Sequence, residues 1–284
     1  MKKIWIIARM TFLETIRRRI VLTGLVLGLV FLTVFTIGFR MIYINVSAEA
    51  ANTPNEVFTN IMSSEGFNVL MLAGLYAVTF LSVAMGALLG ADTLSGEIIS
   101  GTIQTIVSKP VRRSDVVLGK WLGFAILLAG YSLLMSGGTV LSVWIQSGYT
   151  ARNVLTGLSL IYLESLLIMT ISLCCSSFLS GLATGGVVFG LYGLSFIGGW
   201  VEQIGAILQN ETAVKVGIVT SLLIPSETLW RRAAFEMQSP ISGALGISPF
   251  GTISVPSPLM IGYAIFYLIL ALMAAISIFN HRDL

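Results

Sequence analysis

Apolar positions run along this chain in long unbroken blocks. They show neither the alternation of a half-buried strand nor the one-sided stripe of a soluble helix. Six blocks qualify as membrane crossings, at residues 20–44, 67–91, 116–145, 154–178, 182–200 and 259–279. A helix needs about 20 apolar residues to cross the hydrocarbon core. The pattern therefore predicts an all-α, polytopic membrane protein of about six transmembrane helices, forming a single transmembrane domain over residues 1–284. The fourth and fifth blocks are divided only by a Ser/Gly-rich turn at 176–181. A further apolar stretch at 213–224 is short and contains Lys215, which favours an interfacial or protein-packed helix over a crossing.

Composition makes the same point from the surface inward. Hydrophobic residues make up 56% of the chain and charged residues 10%, with a mean hydropathy of +0.93. A soluble domain carries about 25% charge, so lipid must serve as much of this protein's solvent. The net charge of +3 is too small to point to nucleic acid. Cys174 and Cys175 are adjacent within an apolar block and read as small packed side chains. His281 is the single histidine, which excludes a metal site or proton relay built on several of them.

The basic residues set the orientation, because they stay preferentially on the cytoplasmic side. With the N-terminus inside, eleven of the 16 fall in the cytoplasm: Lys2, Lys3, Arg9, Arg17, Arg18, Arg19, Lys109, Arg112, Arg113, Lys120 and Arg282. Arg40, Arg152, Lys215, Arg231 and Arg232 fall outside or near the outer surface. The first outer loop, 47–66, carries Glu49, Glu56 and Glu65 without a basic residue. Both termini are thus expected in the cytoplasm of a bacterial inner membrane. The block at 20–44 is longer than the core of a cleaved signal peptide and reads as a retained span. Residues 1–19 are expected to form an interfacial helix with Glu14 and Arg18 spaced to pair. A basic flank that only sets topology is the other reading.

Two connections are more than turns. Residues 92–115, between the second and third spans, contain a short amphipathic helix at 96–107 stopped by Pro110, followed by Arg112 and Arg113. Ser114 and Asp115 are expected to cap the next helix. Residues 201–257 are expected outside the membrane. There Leu229, Trp230, Ala233, Ala234 and Met237 recur at helical spacing, with Arg231, Arg232 and Glu236 elsewhere on the surface. That pattern predicts an amphipathic helix before the sixth span, lying on the outer face.

The order Glu97, Gly101-Thr102, Ser108-Lys109-Pro110-Val111-Arg112-Arg113 and Gly119-Lys120 resembles ABC-2-type transporter permeases at the same connection. The basic N-terminal helix, the six spans and a Pro-Ser-x-x-Leu-Trp-Arg element at 225–231 extend the resemblance over essentially the whole chain. Within the family it looks most like the NosY group. The resemblance implies a coupling helix seated in a groove of a separate cytoplasmic ABC ATPase, with Glu97, Ile98, Gly101, Thr102 and Thr105 as its contact surface. Lys109, Arg112 and Arg113 would hold the segment against lipid phosphates or ATPase carboxylates. As ordinary positive-inside anchors they would need no partner, and both readings stand. The resemblance further implies a dimer of identical or different permease chains, moving a substrate outward on ATP bound by the partner.

Inside the membrane, Glu164 is the acid placed deepest in a predicted span, about ten residues into the fourth. An intramembrane carboxylate is a functional candidate by default. A span that starts later would leave it near the outer surface. Glycines four apart, at Gly24/Gly28, Gly86/Gly90, Gly119/Gly123, Gly181/Gly185 and Gly186/Gly190, are expected to let helices approach closely. The sequence contains no GxxxxGK[ST] and no HExxH, so it lacks the P-loop signature for ATP and that zinc-hydrolase signature. The competing function is an ATPase-independent secondary transporter or channel. Such proteins show internal repeats and several intramembrane charges, and no convincing repeat is present here.

Overall fold

The computed structural model describes residues 2–51, 56–91, 93, 112–245 and 254–281. Among them are ten helices and no strand: α1 (Lys2–Ile16), α2 (Arg19–Ala51), α3 (Glu56–Ala91), α4 (Arg113–Ser147), α5 (Val154–Ser176), α6 (Gly181–Ile207), α7 (Glu211–Leu223), α8 (Ser226–Met237), α9 (Pro240–Leu245) and α10 (Leu259–His281). Six of them, α2 to α6 and α10, are long and apolar enough to cross a membrane. The polytopic all-α architecture read from the hydrophobic blocks is therefore the observed one.

α5 is the centre of the bundle. Buried residues fill 72% of its apolar window, against 11% for α2 and 17% for α10, which present most of their apolar surface outward. Glycine sets the closest contact of α5, with α3. A Cβ at Gly86 would stand 2.8 Å from the Ser165 carbonyl oxygen, and one at Gly90 would stand 2.6 Å from Ser172 Cβ. Ser172 Oγ then donates to the Ala87 carbonyl at 2.6 Å, a bond that lipid cannot replace. The glycines at 185, 186 and 190, by contrast, face open space. α4 carries a π-helical turn over Leu133–Gly137.

The ends of the bundle follow from contacts between distant residues. Arg113 donates to the carbonyls of Phe279 and Asn280, and Val117, Leu173, Ala275 and Phe279 form one buried cluster. α1 packs on the first half of α4, with Ile7 and Ala8 against Gly119 and Gly123. The start of α4 and the ends of α5 and α10 therefore share one end of the molecule, together with α1 and its Arg17–Arg19 turn. At the opposite end, Asn68 in the first half of α3 bonds Tyr149, in the α4–α5 link, and the Met237 carbonyl closing α8. The paired Glu14 and Arg18 lie 2.7 Å apart as the spacing predicts.

The chain between α6 and α10 departs from the expected outer loop. α6 leaves the basic end and α10 returns to it, so α7 and α8 must begin and finish at the opposite end. They meet at 106°. With 13 and 12 residues they reach only about 20 Å and 18 Å, too short for a crossing. Together they form a re-entrant hairpin. α7 runs back along α6 to the level of Ser195, and α8 turns away from the basic end again against α5.

Three expectations change as a result. The amphipathic helix of residues 226–237 exists, but it is buried in the bundle instead of lying on its surface: Leu229, Trp230, Arg231, Ala233, Ala234 and Met237 are all buried. Spacing reported the stripe but not that the remaining face also has protein against it. The connection 47–66, expected as a loop, is mostly continued helix: α2 runs on to Ala51 and α3 begins at Glu56. Ser114 and Asp115 lie inside the first turn of α4. Arg112 occupies the cap position without a side-chain bond, and Asp115 contributes only its charge to the positive end of the dipole.

The hairpin topology makes a labelling prediction. In a Cys174→Ser/Cys175→Ser background, single cysteines at Gln209 and Ser257 should react with an impermeant maleimide from the same membrane face, and one at Asn280 from the other. Labelling of Gln209 and Ser257 from opposite faces would make α7–α8 a broken seventh span.

Candidate functional site

A helix break at membrane depth frees backbone groups that hydrocarbon cannot satisfy. At the hairpin tip Ser195 of α6 meets most of this need. Its hydroxyl donates to the Ile224 carbonyl at 2.9 Å and lies 3.3 Å from the donating Glu227 N–H and 3.0 Å from Ser226 Oγ. Tyr263 of α10 donates to the Leu222 carbonyl just before the break. The adjacent Gly198 and Gly199 admit the hairpin against α6. A Cβ at Gly198 would overlap Thr220, and one at Gly199 would lie 2.2 Å from Glu227 Cγ.

Three carboxylates are buried here, where the sequence singled out one. Glu202 of α6 accepts both arms of the Arg231 guanidinium, at 2.8 and 2.9 Å, and a third bond from Ser254 at 2.9 Å. The Arg231 and Glu202 side chains are 1% and 6% exposed, so this fork-to-fork contact is made without water and ties α8 to α6. Glu227 lies one turn earlier on α8 and shares a hydrogen bond with the Tyr76 hydroxyl, while its Oε2 has no partner. Glu164 is fully buried near the middle of α5, and neither of its oxygens meets a hydrogen-bond partner among the described residues. The later-starting span that would have exposed it does not occur. Glu164 and Glu227 are near enough to act on each other and on Tyr76 and Tyr192.

Aromatic rings separate these acids from a groove on the outside of the bundle. Tyr76 packs on Trp230 with centroids 4.9 Å apart and on Phe196 at 6.1 Å, and its hydroxyl accepts from Trp200 Nε1 at 3.0 Å. Phe80 and Tyr192 meet at 6.1 Å. The groove beyond them, between α2, α3 and α6, encloses about 700 Å³ and has no charged residue in its lining.

Of the coupling residues read from the sequence, Glu97, Ile98, Gly101, Thr102, Thr105, Lys109 and Pro110 lie outside the described residues. Arg112 is exposed at the start of α4. Arg113 instead closes the last turn of α10 through its two carbonyl contacts, a favourable place for a cation on a helix dipole. Sequence reasoning missed Ser195, Glu202 and the buried role of Arg231. Gly198-Gly199 followed three residues later by Glu202 was the available signal, an acid in line with small residues just past the end of the span read at 182–200, where the helix in fact continues to Ile207.

The chain matches the ABC-2 family transporter protein over residues 5–284, nearly its whole length. It belongs to that family. No curated protein matches it. ABC-2 membership fits a membrane-embedded transport subunit, and the hairpin with its buried acids is this subunit's most polar intramembrane feature.

Breaking a buried ion pair from one side leaves the other charge unpaired, which costs about 3–5 kcal/mol. Arg231→Met should therefore lower stability by about that amount in denaturant titration of the purified chain. Arg231→Met/Glu202→Met should recover most of it, because replacing both ions with apolar groups is often close to neutral. Equal losses in the single and double variants would mean that the pair itself stabilises the hairpin and that the leftover carboxylate costs nothing.

Proposed function

We propose that this ABC-2 family member is the permease subunit of an ATP-driven exporter. It works as a dimer of six-span bundles in the bacterial inner membrane with both termini cytoplasmic, each bundle engaging one cytoplasmic ATPase through residues 92–115. The chain itself does no covalent chemistry. ATP is bound and hydrolysed by the partner, consistent with a sequence that has no P-loop of its own.

The observation that carries this reading is the family match over residues 5–284. The bundle's geometry supports it. α3 ends and α4 begins at the basic end of the molecule, beside α1 and the last turn of α10. The segment joining them therefore starts and ends on the side where basic residues concentrate, the side on which a soluble partner would bind. Closure of the ATPase pair would push this segment and move α4 and α1 together, since the two are packed side by side. The hairpin at the other end stands where an outward-moving substrate would leave.

The test is co-purification of the chain with the ATPase encoded beside it, with and without Glu97→Arg. A reversed charge on the coupling surface should release the ATPase while the membrane chain keeps its melting behaviour. Full retention would move the contact off residues 96–107. An ATPase that never associates with the unaltered chain would favour an ATP-independent transporter.

A further inference from the structure

We infer that Glu164 and Glu227 form a proton-binding site inside the bundle, loaded while α5 and α8 are closed on each other and discharged when they part. Its role in transport rests on the reading that this interface moves as the permease works. What it adds is a ligand, the proton, and the direction of its effect.

The charge balance of the buried groups assigns the protons. Glu202 and Arg231 meet fork to fork, so one carboxylate answers one guanidinium. Among the described residues Arg231 is the one cation beside the pair, and both its terminal nitrogens are taken by Glu202. Glu164 and Glu227 are both buried, the first with two unpartnered oxygens and the second with one. An ionised carboxylate in such a place has neither water nor a counter-charge, which costs far more than keeping its proton. Two of them near each other would also repel. Both are therefore neutral carboxylic acids in the closed bundle.

The other titratable groups around the pair leave this count unchanged. α3 supplies Tyr76, whose hydroxyl bonds Glu227, and α6 supplies Tyr192 and Glu202. Further along α8, Arg232 and Glu236 bond each other. α10 faces this region with Tyr263, which donates to the Leu222 carbonyl, and with Tyr267. On α7, Glu211 and Lys215 pair at the end away from the hairpin tip. On α4, Lys120 stands beside Trp121, which bonds Thr170, nearer the basic end than Glu164.

The two acids belong to different bodies. Glu164 is on α5, which packs closely on α3 at Gly86 and Gly90. Glu227 is on the hairpin, held to α6 by the Arg231–Glu202 fork and seated so close that a Cβ at Gly199 would lie 2.2 Å from its Cγ. Parting α5 from α8 at the end where the hairpin begins would admit water to both acids at once. In water a glutamic acid ionises above about pH 4.3, so the opened pair releases two protons to solvent at neutral pH. The sign of the linkage follows. The closed form binds the extra protons, so acid favours closure and rising pH favours opening, by up to about tenfold per pH unit for each acid.

The site is tested on the purified full chain by denaturant unfolding between about pH 5.5 and 7.5, above the range in which exposed carboxyls titrate. Unfolding uncovers both acids, so the folding constant should fall with rising pH by up to about a hundredfold per unit. Glu164→Gln/Glu227→Gln should fold and lose this dependence, because an amide keeps the shape and neutrality of a protonated carboxyl. Each single variant should keep about half the logarithmic slope. A folding constant that does not fall with pH, or falls as steeply in the double variant, would overturn the site. The unaltered chain gives a second reading that needs no variant. Its infrared spectrum at neutral pH should carry the C=O band of neutral carboxyls, and a spectrum without it would overturn the site as well. The link to transport is read on the complex with the ATPase, in weakly buffered solution. Addition of a non-hydrolysable ATP analogue should release about two protons per bundle more than from the double-variant complex. Equal release would overturn the link. An ATPase that never associates would sink the ATP-driven reading, while unfolding and infrared spectra would still decide the proton site.

Discussion

Within the hydrocarbon layer a chain has no water to fall back on, and every break in a helix must be closed by protein. Here the break is the tip of the α7–α8 hairpin, and two interactions hold it at depth. Ser195 satisfies the backbone at the turn, and the Arg231–Glu202 fork fixes α8 against α6. The hairpin in turn buries Trp230 against Tyr76 and Met237 over Gly157. Without the fork, α8 would present an unpaired guanidinium to the interior. The closed half of the bundle opposite the basic end and the aromatic wall of the groove both depend on that pair.

The sequence made the crossings legible because each one is a physical necessity written in composition: about 20 apolar residues in a row admit few other fates. It also made Glu164 legible, since one acid inside an apolar block is conspicuous. The hairpin was not legible for a related reason. Residues 226–237 carry an apolar stripe and a charged face, which is also the pattern of a helix lying on a surface. Burial of the charged face needs Glu202, 29 residues earlier in sequence, at hydrogen-bond distance, and no local period reports such a pairing. The same limit hid Ser195. Serine within a span usually bonds its own helix, as Thr79 and Thr170 do here, and its use across helices appears only when the partner is in place. Arg113 is a milder case: its charge was evident, but its partner, the end of α10, lies far along the chain.

Polar groups are distributed unevenly along the membrane normal, and α5 spans the difference. Near its start it touches the hairpin through Gly157 and Met237, and at its middle it carries Glu164. Toward the basic end it bonds α3 through Ser172 and joins the Val117–Phe279 cluster through Leu173. It packs on almost all sides, and α3, packed along it, also touches α8 through Asn68 and Tyr76. On the proposed reading, force applied at residues 92–115 reaches the hairpin through α3 and α5 together. α2 and α10 are too loosely held to carry it, and α6 meets the basic end only at its first turn. The close glycine contacts between α3 and α5 resist sliding, because a shift of one residue would place backbone against a side chain. Rigid tilting of α3 and α5 as a pair is the motion left. Such a tilt would move Tyr76 and Glu164 together, relative to the Glu227 of a hairpin anchored on α6. The contact that then changes is the one between Glu164 and Glu227, behind the aromatic wall. ATPase-driven movement would thus be felt at the interface of α5 with α8.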